Sequence, residues 1–293
     1  MRHLNKQIMD YIKSQDKNIS RISAGHQNWY HANSVIWGER YMKEKENILT
    51  QERNKKETRI IVKYLPRNCK KILDAPCGYG RISNNLAALG YIVTGIDISK
   101  YFINLARKQA IQKGLIVTYI TGDIFKKKIP GKFDAVLNIF TSLGYLENDN
   151  KNELFIRKLC QQVSPGGRLI IEIINPIALL ADYKRKETVT LKDGIKLHFE
   201  RLLDFKTSTS VTKILEIKKK SSPRSIVHII RIYYPHELIN ICGKFGCNLI
   251  EMLNQNGKVK NINNSLRIWL IFKKNRESSS YYYFQQNFTY QSY

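Results

Sequence analysis

The stretch KILDAPCGYG, Lys71 to Gly80, decides the fold. Ile72 and Leu73 make a short apolar strand after the basic pair Lys70 and Lys71, Asp74 closes it, and Gly78 and Gly80 open a tight turn. From Tyr79 to Leu89 the apolar spacing becomes helical, with Ile82, Leu86 and Leu89 at i, i+4 and i+7. Strand, glycine turn and helix thus follow one another directly. Glycine suits such a turn because the missing Cβ lets the backbone take unusual dihedrals and come close to a ligand. A second strand, Tyr91 to Ile98, brings Asp97 to its carboxyl edge, where a carboxylate can accept hydrogen bonds from both hydroxyls of a ribose. The pattern predicts a nucleoside site.

An acid about twenty residues after the glycines also suits the dinucleotide fingerprint. The third glycine of that fingerprint, however, falls at Ser83. The residues instead resemble the class I S-adenosylmethionine-dependent methyltransferases, whose first motif runs acid-x-Gly/Ala-x-Gly-x-Gly and reads DAPCGYG here. Gly122-Asp123-Ile124 after a third strand resembles that family's adenine-side motif. FDAVLNIFTSLGYL, Phe133 to Leu146, resembles its fourth-strand motif, and SPGGRLIIEI, Ser164 to Ile173, its turn and fifth strand. The loop Phe140 to Leu146 is closest in style to the sugar amino-group N-methyltransferases, where FSS-x-G-(His/Tyr)-L recurs. The resemblance spans roughly residues 60 to 275, with the motifs in the family's order.

The resemblance implies an α/β fold, a Rossmann-like doubly wound sheet of seven strands in order 3-2-1-4-5-7-6 with the last strand antiparallel, carrying an antiparallel β insertion. It implies S-adenosyl-L-methionine as cofactor, held by Tyr41, Asp74, Ala75, Cys77, Gly78, Gly80, Asp97, Ile98, Asp123, Ile124, Asn138 and Ile139. Tyr145 falls where a catalytic base or positioning group would sit, or else it packs beneath a lid. Asp123 either accepts the exocyclic amine of adenine or caps the next turn. Methyl transfer from a sulfonium is an in-line displacement on an activated carbon, so alignment is the protein's main task. A base matters only for a protonated or hydroxyl acceptor. No metal is expected, since no His, Cys or carboxylate spacing suggests one.

Between Ser23 and Tyr41, the aromatic residues Trp29, Tyr30, Trp37 and Tyr41 gather ahead of a charged helical segment ending at Tyr64. Tyr30 and Trp37 are candidates for acceptor contact by stacking or cation–π interaction, and they can equally fasten that helix to the core. After the fifth strand, Asn175 lies beside the cleft, and the period changes to that of an antiparallel meander. KETVTL, IKLHFERLLDF, SVTKILEIKKK and SIVHIIRIYY are strand-like runs separated by Asp193-Gly194, Thr207-Ser208-Thr209 and Ser221-Ser222-Pro223. His198 and Arg231 are taken from it as substrate contacts, with Arg201, His228 and Tyr233 as further candidates on strands where about half the side chains face water.

The expected organisation is an arm and helical lid at 1–58, a cofactor-binding core at 59–180, the β insertion at 181–234, covering substrate or pairing subunits, the remaining core at 235–275 and a disordered tail at 276–293. Five scattered cysteines without a C-x-x-C pair predict neither a disulfide framework nor a zinc site. With no signal-like segment and no apolar run near the roughly 18 residues of a membrane span, a soluble cytoplasmic protein is expected, a monomer or homodimer away from membranes. Its partner is expected to be a small-molecule or peptide acceptor methylated on N or O. The alternatives are an RNA methyltransferase and a non-catalytic scaffold that only binds the cofactor. The net charge of +25, from 49 basic and 24 acidic residues, would also draw RNA, and equally follows from a composition rich in Lys, Asn, Ile and Tyr.

Overall fold

In the computed structural model, residues 42, 45, 48–191, 193–218 and 223–276 are described. Helix α1 (Gln51–Tyr64) starts at Thr50, whose hydroxyl accepts from the Arg53 amide at 3.2 Å. Then come β1 (Lys71–Asp74), α2 (Arg81–Ala88), β2 (Ile92–Asp97), α3 (Lys100–Gln112), β3 (Val117–Thr121), β4 (Phe133–Asn138), α4 (Asp149–Gln162) and β5 (Val163–Ile174). A short α5 (Pro176–Ala181) leads to β6 (Lys186–Thr190), β7 (Lys196–Asp204), β8 (Thr209–Ile217) and β9 (Arg224–Arg231). The chain closes with α6 (Pro235–Lys244), β10 (Cys247–Asn254) and β11 (Arg267–Lys274).

Sheet A has seven strands in the order β3-β2-β1-β4-β5-β11-β10. All its pairs are parallel except those made by β11, which runs antiparallel to both β5 and β10. The expected order 3-2-1-4-5-7-6 is therefore borne out, with β10 and β11 as its sixth and seventh strands. Central strands buried on both faces are near-continuously apolar, and Ile268 to Phe272 on β11 are all buried. One face of the sheet packs Leu73, Val136, Leu159 and Leu238, the other Ile61, Leu86, Leu137 and Trp269. Sheet B is the meander, β6-β7-β8-β9, antiparallel throughout.

Three local details refine this picture. Leu89, expected on the buried stripe of α2, is 59% exposed because the helix ends at Ala88 and the chain turns at Gly90. On α3 the buried positions are Ile103, Ala106 and Ala110, while Phe102 and Leu105 are half-buried. Pro165-Gly166-Gly167, expected as a turn before the fifth strand, lies inside β5: Phe133 pairs with Val163 but Ala135 with Arg168, so Ser164 to Gly167 bulge out of register.

Candidate functional site

A cleft of about 530 Å³ opens at the carboxyl ends of β1, β2 and β4, where open α/β sheets bind ligands, and sheet B forms its opposite wall. Of the residues expected at a cofactor, Asp74, Ala75, Cys77, Gly78, Asp97, Ile98, Asp123, Ile124 and Ile139 line it. Tyr145 lines it too. Tyr30, Trp37 and Tyr41 lie outside the described residues, as do most of the expected arm and the tail from 277 onward.

The β1–α2 turn is held by buried side chains. Asp97 accepts from the Gly78 amide through Oδ2 and from the Ser99 amide through Oδ1, each at 2.8 Å. A carboxylate has about four lone-pair directions, so acceptor capacity remains on the side that faces the cleft. Burial raises the Asp97 carboxyl to about 6, against the pull of the Ser99, Gly78 and Ile98 amides. Asp74, also raised to about 6 by burial, accepts from the Ser83 hydroxyl at 2.6 Å. Ser83, where a dinucleotide site would need a third glycine, thus has a bond of its own. Gly80 stands at φ +77, and a Cβ there would meet Tyr119 Oη at 2.3 Å. Pro76 occupies the position where the family motif has glycine or alanine, and the Ala75–Pro76 bond is cis.

Asp123 lines the cleft and also accepts from the Phe125 amide at 2.8 Å, so it caps the turn while keeping a second oxygen for a ligand. Burial lifts the Cys77 thiol well above its ordinary value, which leaves it a wall atom rather than a nucleophile. Asn138 is fully buried outside the lining, and its Nδ2 donates to the Ala75 carbonyl at 2.8 Å, tying the end of β4 to the motif loop. Gly80 likewise supports the cleft from behind its surface.

The acceptor side departs further from expectation. Asn175 is buried and wholly engaged: its Oδ1 caps α5, and its Nδ2 meets the carbonyls of Ile262, Asn263 and Ser265 at 2.8–3.1 Å. His198 is bonded to Thr188 Oγ1 at 2.8 Å on the far face of sheet B. Arg231 is paired with Glu237 and, at 3.3 Å, with Asp149. None of the three lines the cleft. For His198 and Arg231 the physical reason is strand phase, since alternate residues point to opposite faces, whereas Asn175 is held away as the cap of α5. Phe199 and Arg201 of β7, Ser210, Thr212 and Ile214 of β8, and His228 and Ile230 of β9 form the wall instead. The register pairs Arg201 with Thr212 and Thr212 with His228 across that face.

A charged cluster that the motifs do not announce lies beneath the β4 loop. Glu172 on β5 is 1% exposed; its Oε2 accepts from the Phe140 amide at 2.7 Å and its carbonyl from the Thr141 amide at 3.0 Å. Arg53 and Arg267 approach the same carboxylate at 3.5 Å, while Arg53 and Arg81 also pair with buried Glu57. Burial holds the Glu172 carboxyl above its usual range, and Arg267 opposes the shift. The guanidinium carbons of Arg53, Arg81 and Arg267 lie 5.1, 5.4 and 4.2 Å from the Phe140 ring centroid. Phe140 and Thr141 are both left-handed, at φ 66 and 54, a conformation that non-glycine residues keep only when their surroundings impose it. Arg267 completes the clamp by donating to Thr141 Oγ1 at 2.8 Å. The loop also docks on sheet B, where the Gly144 carbonyl accepts from the Arg231 amide at 2.9 Å. On the same side, Tyr183 Oη is buried without a hydrogen-bond partner among the described residues.

Residues 72–167 match the methyltransferase domain family, which bears out over that segment the likeness read from DAPCGYG. A mitochondrial ubiquinone biosynthesis O-methyltransferase of Schizosaccharomyces pombe is 36% identical over 135 residues, 44% of this chain and 46% of its own length. The chain spans about half the length of the curated relatives it matches. The CcbJ methyltransferase from Streptomyces caelestis superposes with a TM-score of 0.68 over 80% of this chain and 96% of that one, at 17% identity. The sugar N-methyltransferase KedS8 from a Streptoalloteichus species superposes at 0.59 over 78% and 89%, at 15% identity. At such identities the likeness to the solved structures is one of fold.

Proposed function

We propose that this chain, whose residues 72–167 match a methyltransferase domain, transfers a methyl group from S-adenosyl-L-methionine to an N or O atom of a small molecule or peptide. The observation that carries the reading is Asp97, which braces the glycine turn through Gly78 and Ser99 and still turns acceptor capacity into the cleft. That suits the two hydroxyls of a ribose. Asp123 and the Ile124 amide would take the adenine edge, and Ile98 and Ile139 its apolar faces. When bound, the cofactor supplies a methyl carbon already activated by its sulfonium.

The chain's own residues then have to align the acceptor and keep water out. Phe199, Ile214 and Ile230 give the acceptor wall an apolar body, and Arg201, Thr212 and His228 give it a few polar contacts, the composition usual for small-molecule sites. Tyr145, on the loop that follows β4, is the candidate to hold or remove an acceptor proton. The unpartnered Tyr183 hydroxyl is a second group able to bond an acceptor. RNA as acceptor is favoured only by the net charge of +25.

Two measurements test this. Calorimetry should show binding of S-adenosylmethionine and S-adenosylhomocysteine, and tight binding of NAD with neither of them would overturn the reading. Labelled cofactor offered with a metabolite extract, a protein panel and a total-RNA pool should then label the metabolites or a peptide. Label in RNA alone, with log-linear loss of binding as salt rises, would move the acceptor class.

A further inference from the structure

Beside α1, α2 and α3, which wall it, lies a second concavity of about 560 Å³. Its lining is basic and amide-rich: Lys55 and Lys113 stand exposed at its sides, with Gln51, Asn54 and Gln109 between them. No carboxylate is among the described residues that line it. Buried Glu57 lies behind, engaged with Arg53 and Arg81. Asn84 of α2 also lines the groove and is 2% exposed. Its Oδ1 accepts from Tyr119 Oη at 2.8 Å, which fixes the amide so that Nδ2 is its remaining donor, and Nδ2 has no partner among the described residues. A buried donor without an acceptor is costly, and an oxygen-rich ligand removes that cost.

We propose that this groove binds the phosphate group of a small phosphorylated molecule. Surplus ammonium and amide donors, with no acid among the described lining residues, match a group that offers only acceptors and carries negative charge. The groove shares Tyr79 and Arg81 with the cleft, which sets the two concavities side by side. A small ligand is favoured over a nucleic-acid backbone because the groove is a concavity bounded by three helices and its unpartnered donor lies below the surface. The site stands whether or not the chain transfers methyl groups.

The test is calorimetric titration of inorganic phosphate and of pyrophosphate into the full chain, without cofactor. Saturable pyrophosphate binding that weakens as salt rises is expected. The pair Lys55→Glu and Lys113→Glu, both at exposed positions, should weaken it at least about tenfold and leave S-adenosylhomocysteine affinity unchanged. Lys206→Glu with Lys273→Glu changes the net charge equally at positions that do not line the groove, and should leave binding unchanged. Asn84→Asp keeps the acceptor for Tyr119 while removing the free donor, and should weaken binding in the same sense. No saturable binding, equal loss in both charge-reversal pairs, or tight binding of a short single-stranded RNA without pyrophosphate binding would overturn the proposal.

Discussion

The wall that sheet A gives the cleft and the wall that sheet B gives it are differently encoded. On sheet A the groups facing a nucleoside come from short contiguous runs, DAPCGYG, Asp97 and Gly122-Asp123-Ile124, each at a strand end. On sheet B they come singly, one residue in two, from three strands of mixed polarity. Ligand-facing backbone ties the first wall to its sequence. Only strand phase decides the second, and a shift of one residue exchanges its faces. The first wall should therefore respond to substitution in cofactor affinity, the second in acceptor handling.

The largest separation should come at Tyr145, where the two walls meet. Tyr145→Phe should lower turnover about 10²–10⁴-fold with cofactor affinity unchanged if its hydroxyl takes the acceptor proton. A smaller loss shared between kcat and KM would make it a positioning residue. Unchanged turnover would shift the chemistry to the sheet B wall, with His228 the next residue to replace.

Next in size is Glu172, which supports the junction from below. Glu172→Gln removes the charge between Arg53 and Arg267 while keeping an acceptor for the Phe140 amide. Breaking a buried ion pair costs about 3–5 kcal/mol, readable as a lower denaturant midpoint. A change below about 1 kcal/mol would show that the left-handed Phe140-Thr141 pair holds its shape without it.

Gly144 and Gly78 compare the walls through backbone alone. At Gly144, φ is +102 and a Cβ would lie 2.2 Å from the Arg231 carbonyl oxygen, so Gly144→Ala should cost about 2–5 kcal/mol of stability. At Gly78, φ is +54 with nothing within 4 Å, and Gly78→Ala should cost only about 1–2 kcal/mol. Equal losses in thermal or chemical denaturation would mean that the β9 end is not pinned to the β4 loop.

These comparisons also mark what could be read before the fold was known. The strand order came with the family resemblance, whereas the meander and the turn residues at Asp74, Gly78 and Asp97 were legible because each depends on a local pattern: alternation, a glycine pair, an acid closing an apolar run. The arginine cluster was not, since Arg53, Arg81, Glu172 and Arg267 lie on α1, α2, β5 and β11 and meet only when sheet A closes over them. A buried Glu172 within the apolar run LIIEII was the one visible hint, because a lone acid in a central strand needs a partner. His198 and Arg231 were chosen from strands whose two faces are both mixed, where composition does not fix the phase. Arg201 and His228 carry the same chemistry in the other phase.

On the cofactor wall, Asp97→Ala should weaken S-adenosylhomocysteine binding by about 1–3 kcal/mol, the cost of ligand hydroxyls left unpaired. It should leave Tyr145-dependent acceptor KM unaltered at saturating cofactor. A shift in acceptor KM alone would assign Asp97 to the wrong half of the cleft.

The smallest effect is a dependence on pH, and its sign separates what Asp97 does for the fold from what it does for the ligand. Burial raises the carboxyl to about 6, whereas in the unfolded chain it titrates near about 4. Between those values the folded chain keeps a proton that the unfolded chain has released, so this group's contribution to stability is present below about pH 4 and is lost as pH rises through about 6. Ligand binding runs the other way. Ribose hydroxyls donate to the ionised carboxylate, so affinity is full above about 6 and weakens as the proton returns, by about tenfold at pH 5 for a single group. Asp74, raised to a similar value, titrates over the same range, and the difference between wild type and Asp97→Asn isolates Asp97 from it and from the ligand's own groups. S-adenosylhomocysteine affinity measured from pH 7 to 5 should fall more steeply in the wild type than in Asp97→Asn. The wild type's stability relative to the variant should decline over the reverse interval, from pH 4 to 7. If affinity and relative stability change in the same direction with pH, the ligand binds the protonated acid, and Asp97 donates to the cofactor rather than accepting from it.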